Sequence, residues 1–416
     1  MRFLTLILAA LTLTACTATS DRSASAIPFE TREPVTVLVS IDGFRPDYLD
    51  RGITPNLSRL AAGGVRGAMR PSFPSKTFPN HWTLVTGLRP DRHGIVANRF
   101  EAEGRTDVFT MASDDPFWWN AAVPIWVDAE KAGVRTATMF WPGSIVAIGG
   151  TRAAAWPYKI DGGTRAQDFV QYYEEVGTTQ RVATLIDWLR RPATTRPRFL
   201  TTYFEAVDTI GHENGPDHPE TNKAIAEVDA AIGLLVSELA ALGQPANLVI
   251  VADHGMAAVS RDRAVALDTI LTAGDYRVIE TGPYAGIVAT PGKEAAVEAA
   301  LLKPHPHMAC WRKAEIPARL HYGRNPRVPP YLCLAEVGWQ VVDKTGTAFG
   351  GGAHGYDGAA PDMAALFLGH GPAFAPGTTL PAFDNPDVHA LLRRLLGLPP
   401  ATGTDGSDAV FVPVLR

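Results

Sequence analysis

Two apolar runs that each end in an acidic residue constrain the fold of this chain more than any other feature. Thr36 to Ile41 is apolar and β-branched, and Asp42 follows it. Leu248 to Ala252 is a similar run, and Asp253 and His254 follow it. Continuous apolar runs of this length are typical of strands buried on both faces, as in parallel sheets. Side chains that follow such strands lie at the carboxyl edge of the sheet, where open α/β sheets bind ligands.

Further strand and helix candidates alternate along the chain. The runs 134–140, 199–204 and 364–368 are apolar, whereas 181–190 and 222–242 have helical patterns. This alternation predicts an α/β fold with a mostly parallel central sheet and helices on both faces. Between about 282 and 352 the pattern changes to short strand-like pieces with many prolines. We therefore expect a small inserted α+β cap in that region.

The amino terminus has the pattern of an export signal. Arg2 precedes an apolar stretch that ends at Leu13, too short to span a bilayer permanently, and small residues lead to Cys16. The pattern resembles the lipid-attachment motif of bacterial lipoproteins; an ordinary signal peptide with an incidental Cys16 is the alternative. It predicts a signal peptide at 1–15, a lipidated flexible tether at 16–34, a folded domain at 35–416, and a periplasmic location with a lipid anchor at Cys16.

Composition limits the partners and the redox chemistry. The formal net charge is -5 and no long run of Lys or Arg occurs, so we expect no binding of nucleic-acid polymers. In an exported protein, Cys310 and Cys333 form either a disulfide or two buried thiols. His305, His307 and Cys310 lie close in sequence, but the intervening prolines and the missing carboxylate favour a surface loop over a metal site.

Several other side chains have the chemistry of metal ligands. Asp208 and His212 are four positions apart after a strand candidate, so one helical turn or a tight loop brings both onto one ion. His354 lies in a glycine-rich loop, where backbone can approach a ligand closely. Each has a structural alternative, such as a helix-capping Asp or a flexible loop. Together with the two strand ends, they predict a two-metal hydrolytic site.

A hydroxyl in the segment 74–82 is the candidate nucleophile. Thr77 precedes a predicted short helix, whose amino end favours an anionic substrate. Metal coordination would activate its hydroxyl. Ser75 is the rival, and the alternative for both hydroxyls is helix capping.

Six motifs together resemble the nucleotide pyrophosphatase/phosphodiesterase family of the alkaline phosphatase superfamily. The resemblance covers nearly all of the chain after the leader. The motifs are Ile41 to Arg45, Phe73 to His81, His93 to Asn98, Asp208 to His212, Asp253 to Met256 and His354 to Asp357.

The resemblance implies a catalytic domain with two Zn²⁺ ions. It assigns one ion to Asp208, His212 and His354, and the other to Asp42, Asp253, His254 and Thr77. Thr77 would attack phosphorus to form a phospho-threonine, and Asn98 would donate its amide to a phosphate oxygen. Phe78 and Tyr203 match positions that sandwich a nucleobase, although both are also compatible with a core role.

The resulting prediction is an exported phosphodiesterase that cleaves nucleotide phosphodiester or pyrophosphate bonds and releases nucleoside monophosphates. A phosphomonoesterase or phosphonate hydrolase on the same scaffold is the nearest alternative, with Lys76 or Arg45 as the extra cation of a monoesterase. A sulfatase would need a modifiable Cys or Ser in a context that Phe73 to Pro79 does not supply. A non-catalytic binding lipoprotein is the alternative of another class.

Overall fold

The computed structural model of the chain describes residues 30–416. The predicted signal peptide, Cys16 and most of the predicted tether lie outside the described residues. A compact unit that holds the regular structure runs from Glu33 to Arg416. Among residues 30–416, no helix combines the length and the apolar character that crossing a membrane requires.

The elements alternate between strand and helix over most of this unit. The strands are β1 (Val35–Ile41), β2 (Val65–Arg70), β3 (Thr136–Met139), β4 (Thr151–Arg152), β5 (Ile160–Asp161), β6 (Asp168–Val170), β7 (Phe199–Phe204), β8 (Ala246–Val251), β9 (Ala257–Val259), β10 (Ala264–Ala266), β11 (Tyr276–Glu280), β12 (Tyr284–Ala289), β13 (Met308–Arg312), β14 (Tyr331–Ala335), β15 (Gln340–Val342), β16 (Gly351–Ala353), β17 (Ala365–His370), β18 (Thr378–Thr379) and β19 (Phe383–Asp384). The α-helices are α1 (Pro55–Gly63), α2 (Thr77–Thr86), α3 (Pro90–His93), α4 (Pro116–Trp119), α5 (Ile125–Lys131), α6 (Thr178–Leu189), α7 (Ala206–Asn214), α8 (Pro219–Ala241), α9 (Glu294–Leu301) and α10 (Asp387–Leu395).

The central sheet is mostly parallel, which confirms the predicted fold class. Its strand order is β18-β2-β17-β8-β1-β7-β3-β6, and β19 also pairs with β2. β1 runs parallel to both β7 and β8, and β3 runs parallel to β7 and β6. β17 is antiparallel to its two neighbours. Every residue of β1 and β7 is buried, as expected for strands covered on both faces.

The predicted strands agree with the observed ones where the apolar run is continuous. β7 coincides with the predicted run 199–204, and β1 and β8 differ from their runs by one or two residues. The sequence pattern does not predict β2, because arginine and glycine interrupt its apolar residues. β2 pairs with β17 nearer the edge of the sheet, where alternate burial is sufficient.

The helices form two packed groups. α8 contacts α1, α6 and α7, whereas α10 contacts α2 and α5. These groupings provide helical layers for a sheet whose central strands are fully buried.

A second sheet, of four antiparallel strands, lies within Tyr276 to Ala335, in the order β11-β12-β14-β13. Ile287, Met308 and Cys333 of this sheet belong to a second hydrophobic cluster, whereas Tyr284, Leu332 and Leu334 pack in the main core. Cys310 and Cys333 are directly opposed on β13 and β14 and form a disulfide. The sheet begins six residues before the region expected to form a cap. Its role as a cap, and the domain boundaries, stay predictions.

The histidines near this sheet have local partners. His307 stacks on Trp339 with ring centroids 3.6 Å apart, and its Nδ1 lies 2.9 Å from a carboxylate oxygen of Glu336. His305 Nε2 lies 3.1 Å from the carbonyl oxygen of Leu301. Neither belongs to a potential metal-ligand group among the residues that the structure describes.

We expect His389 to make the folded state less stable as the pH falls. Burial, with a contribution from the charge of Arg393, lowers its pKa from 6.5 to about 3. The unfolded chain therefore binds this proton at a higher pH than the native protein does. The stabilisation due to neutral His389 is complete above pH 6.5 and is lost as the pH falls towards 3, at up to about 1.4 kcal/mol per pH unit.

Urea unfolding of wild type and His389→Leu between pH 7.5 and 4 measures this effect. We expect the free energy of unfolding to decline less steeply below pH 6.5 in the variant. The control is His321→Asn, because His321 is exposed at a left-handed backbone position that Asn tolerates. Parallel pH profiles for wild type and His389→Leu would contradict the prediction.

Candidate active site

Three parallel strands bring acidic residues to the same edge of the central sheet. Asp42 directly follows β1, and Asp253 follows β8. Asp208 lies in the first turn of α7, just after β7. Because β7 and β8 flank β1 in parallel register, these carboxylates converge at the carboxyl edge. The spacing of Asp208 and His212 is thus that of one helical turn, since both lie on α7.

Three histidines complete the cluster, and each ring has a fixed orientation. Nδ1 lies 2.9 Å from Gly352 O in His212, 2.9 Å from Gly255 O in His254 and 2.7 Å from Ser75 O in His354. A carbonyl oxygen only accepts, so each Nδ1 carries the proton. When its ring is neutral, each histidine therefore offers the Nε2 lone pair to the cluster, as metal-binding histidines do.

The Nε2 atoms face carboxylate oxygens. His254 Nε2 lies 3.0 Å from Asp253 Oδ2 and 3.4 Å from Asp42 Oδ1. Asp208 lies 3.4 Å from Nε2 of His212 and 3.6 Å from Nε2 of His354. Two ligand atoms that share a tetrahedral ion at about 2.0–2.1 Å stand roughly 3.3 Å apart. The observed separations match that value.

Carboxylate oxygen atoms without hydrogen bonds also indicate a metal site. Asp42 Oδ1, Asp208 Oδ1 and Asp253 Oδ2 are buried and accept no hydrogen bond from the described residues. Buried carboxylate oxygens of this kind are strongly unfavourable unless a cation balances them. Potential ligand atoms fall into two groups, Asp42-Asp253-His254 and Asp208-His254-His354. The residues therefore fit divalent metal ions.

Without such a cation, burial and mutual charge interactions shift the pKa values of the residues in this cluster. Burial, followed by the charges of Asp253 and Asp208, raises the pKa of Asp42 well above its ordinary value. Burial also acts to raise the pKa of Asp253, but the neighbouring His254 and His81 outweigh it and hold this pKa well below the ordinary value. Burial and the nearby charge of His254 lower the pKa of His354. The carboxylates thus compete for positive charge.

Thr77 is the first residue of α2, and its hydroxyl faces this cluster. Thr77 Oγ1 lies 3.3 Å from His254 Nε2. The neighbouring Ser75 hydroxyl instead donates to the carbonyl oxygen of Tyr356 at 2.9 Å. The residue that caps α2 is Lys76, without a side-chain cap, so neither hydroxyl has the capping role considered from sequence. The geometry therefore favours Thr77 over Ser75 as the reacting group.

Asn98 lies against the first turn of α2. Its side-chain oxygen accepts the backbone N–H of Phe78 at 3.0 Å. This bond fixes which end of the amide is the NH₂ group. The NH₂ group of Asn98 therefore lies on the side of the amide that does not face the backbone N–H of Phe78.

His81, on α2, is a residue of this cluster that the sequence analysis did not predict as part of the site. It is fully buried, and its Nδ1 lies 2.8 Å from Thr77 O and 3.4 Å from Asp253 Oδ2. Its Nε2 lies 2.8 Å from the hydroxyl of Ser40. The available signal was its position one helical turn after Thr77, which points both residues to one side of the helix.

A cavity of about 530 Å³ opens beside Thr77. Phe78 and Tyr172 both line it, and Tyr172 has 44% of its surface exposed. Tyr203 also lines it but is only 8% exposed, and its hydroxyl donates to Asp42 Oδ2 at 2.6 Å. Tyr172 was not predicted as a site residue. It follows β6, which is too short to be predicted from its apolar pattern.

Comparisons with known proteins agree with this geometry. The model of the family "type I phosphodiesterase / nucleotide pyrophosphatase" matches residues 36–357. A bis(5'-adenosyl)-triphosphatase from Xenopus laevis is 36% identical over 375 residues, covering 89% of this chain and 79% of that protein. Human ectonucleotide pyrophosphatase/phosphodiesterase family member 5 is 36% identical over 368 residues, covering 87% and 74%.

Solved structures give the same result. An inactive variant of murine ectonucleotide pyrophosphatase/phosphodiesterase 5 in complex with AMP superposes with a TM-score of 0.86 at 34% identity. The match covers 92% of this chain and 100% of that chain. This chain therefore belongs to the type I phosphodiesterase / nucleotide pyrophosphatase family, within the alkaline phosphatase superfamily. Membership supports an enzyme with nucleotide pyrophosphatase/phosphodiesterase activity.

We expect Asp42→Asn to have opposite effects on stability with and without metal. Without metal, the substitution removes one of three crowded carboxylates and stabilises the fold by about 1 kcal/mol or more. With divalent metal, it removes a potential ligand, so we expect it to lessen the stabilisation that metal binding provides. Thermal melts in chelator and in added metal measure both effects.

Asp187→Asn is the control, because Asp187 is an exposed residue of α6. It should melt like wild type in both conditions. A lower melting temperature for Asp42→Asn than for wild type in chelator would contradict the proposed repulsion.

Proposed function

We propose that the protein is an exported, zinc-dependent hydrolase of nucleotide phosphodiester or pyrophosphate bonds that works through a phospho-threonine and releases nucleoside monophosphates. The observation that carries the proposal is the Thr77 hydroxyl at the amino end of α2, 3.3 Å from His254 Nε2, in a cluster where each carboxylate has one oxygen without a hydrogen bond.

Two zinc ions fit the residues at the sheet edge. Asp208, His212 and His354 would hold one ion, and Asp42, Asp253, His254 and Thr77 the other. His254 belongs to both groups of potential ligand atoms, so it would lie close to both ions. Bound zinc would supply Lewis acidity, which lowers the pKa of a coordinated hydroxyl and offsets the charge of the phosphate oxygens.

The chain's own residues define the order of bond changes. Thr77 gives its hydroxyl proton to solvent, and Oγ1 attacks phosphorus to form an Oγ1–P bond. The bond to the leaving oxygen breaks, and that oxygen departs with the electron pair. The amino end of α2 favours the negative charge on the phosphate. The free NH₂ group of Asn98 donates to a non-bridging oxygen, which gains charge in the transition state. Water then attacks phosphorus, breaks the Oγ1–P bond and restores the Thr77 hydroxyl.

The cavity supports a nucleobase site next to the reacting phosphate. Phe78 follows Thr77 directly. Its ring makes a T-shaped contact with Phe109 and a tilted contact with Trp119, with ring centroids 6.1 and 6.0 Å apart, and these contacts hold it in place. Tyr203 remains the predicted second base contact, but its hydroxyl bond to Asp42 and its slight exposure suit it to orient that carboxylate. The more exposed ring of Tyr172 is the better stacking surface.

The basic residues considered for a monoesterase are already engaged. Arg45 binds Asp47 and Asp362 at 2.8 and 3.1 Å. Lys76 Nζ lies 3.7 Å from a carboxylate oxygen of Glu280 and over the ring of Tyr284. The second charge of a phosphate monoester would therefore lack a free cation from these residues, which favours a diester substrate.

Export is supported by the disulfide between Cys310 and Cys333, because disulfides persist in oxidising compartments. A periplasmic location and lipid attachment at Cys16 complete the proposal, as the leader sequence predicts.

Removing the Thr77 hydroxyl should abolish turnover. With para-nitrophenyl thymidine monophosphate as substrate, we expect kcat for Thr77→Ala to fall at least about a thousandfold, as for other lost nucleophiles. Ser75→Ala should lose far less, because the Ser75 hydroxyl is directed at Tyr356. Undiminished turnover by Thr77→Ala, or no turnover by wild type, would remove the proposal.

Metal content and substrate charge provide a second test. Protein purified without chelator should contain about two zinc ions per chain by elemental analysis. Para-nitrophenyl thymidine monophosphate should give a higher kcat/KM than para-nitrophenyl phosphate under matched conditions. A preference for the monoester would support the phosphomonoesterase alternative instead.

A further inference from the structure

Arg181, in the first turns of α6, is a buried arginine that the proposed reaction does not use. Its side chain is only 2% exposed. A buried guanidinium is unfavourable unless all of its charge and most of its donors are paired. The partners of Arg181 therefore indicate which parts of the fold this residue holds together.

The hydrogen bonds of Arg181 join three segments at the cavity wall. Nε donates to Val176 O at 2.7 Å, in the segment that carries Tyr172. Nη1 donates to Tyr203 O at 2.9 Å, on β7. Both terminal nitrogens donate to the carboxylate of Glu205, which precedes α7 and lines the cavity. A planar fork with this many fixed acceptors has little freedom to move.

Arg181 also contacts the ring of Phe140. The guanidinium carbon lies 5.0 Å from the centre of this ring. The ring of Phe140 meets Tyr172 edge to face, with centroids 5.1 Å apart. Phe140 has a left-handed backbone with φ of 61°, an arrangement that a non-glycine residue keeps only where its surroundings hold it. Arg181 provides part of that support.

Tyr172 depends on these contacts for its orientation. With 44% of its surface exposed, it lacks the close packing that fixes core rings. Its ring meets Phe140 on one side and Tyr203 at 6.0 Å on another, and Arg181 binds the segments of both. Removing the guanidinium would therefore allow the Tyr172 ring to adopt other orientations.

We infer that Arg181 is a positioning residue for nucleobase recognition and acts through Tyr172. The inference rests on the proposed function, in which the base stacks between Phe78 and Tyr172. None of the described contacts of Arg181 reaches Thr77 or the imidazoles of the metal cluster. Its loss should therefore weaken the binding of substrates that carry a base and leave chemistry on a diester without a base nearly intact.

Two substrates with the same leaving group separate these effects. Para-nitrophenyl thymidine monophosphate carries a base, and methyl para-nitrophenyl phosphate does not. For Arg181→Met, we expect kcat/KM for the nucleotide to fall about five- to tenfold, mainly through a higher KM, as loss of one stacked face predicts. We expect kcat/KM for the methyl diester to change less than about twofold.

A double-mutant cycle tests the route through Tyr172. Tyr172→Ala should show the same selective loss with the nucleotide. In the Tyr172→Ala background, Arg181→Met should cause little further loss, because coupled residues give non-additive effects. Arg181→Lys keeps a charge for Glu205 but loses the fork, and we expect it to fall between wild type and Arg181→Met.

Arg196→Met is the matched control. Arg196 is also a buried arginine, and its Nε donates to Leu189 O at the other end of α6. The ratio of kcat/KM for the nucleotide to kcat/KM for the methyl diester should stay at its wild-type value in this variant, even if the variant is less stable. Thermal melts of all variants in the metal-loaded form establish that each is folded at the assay temperature, and Arg181→Lys carries the test if Arg181→Met is not.

The outcomes separate this inference from the proposed function. Equal losses on both substrates, or a full Arg181 effect in the Tyr172→Ala background, would overturn the positioning role while the phosphodiesterase activity stands. Failure of wild type to hydrolyse either diester would remove the proposed function and this inference with it.

Discussion

The mutual repulsion of three crowded carboxylates, two of them fully buried, is the constraint on which this structure depends. Asp42, Asp208 and Asp253 stand at the ends of adjacent parallel strands or one turn beyond them, and each has an oxygen without a hydrogen bond. Parallel pairing of β1 with β7 and β8 forces them together whether or not a cation is bound. The favourable free energy of folding the sheet thus offsets the unfavourable repulsion among these carboxylates.

The imidazoles contribute direction more than charge. Because His212, His254 and His354 each donate Nδ1–H to a backbone carbonyl, their acceptor nitrogens are oriented before any ligand arrives. Backbone carbonyls are fixed by the surrounding fold. A conservative substitution near Gly352 or Gly255 would therefore change the orientation of His212 or His254 without replacing the histidine itself. His81 extends the same arrangement inward by linking Asp253 to Ser40 of β1.

The sequence predicts the fold class and the cluster well, because both arise from local signals. The continuous apolar runs of β1, β7 and β8 locate the strands, and polar residues just after them locate the edge. Tyr172 could not be found in this way, since the short strand before it has no clear apolar period and its role depends on contacts with distant residues. The same limit applies to β2 and to the hydroxyl bond that Tyr203 makes with Asp42.

The segment before Thr77 is tied to the loop that carries His354. The carbonyl oxygen of Ser75 accepts from the His354 ring, and the Ser75 hydroxyl donates back to Tyr356, two residues beyond that histidine. These two hydrogen bonds join the segment of the proposed nucleophile Thr77 to the segment of the proposed ligand His354. Any displacement that moved the Thr77 hydroxyl would also tilt the His354 imidazole, so in the proposed reaction metal binding and readiness for attack would be mechanically linked.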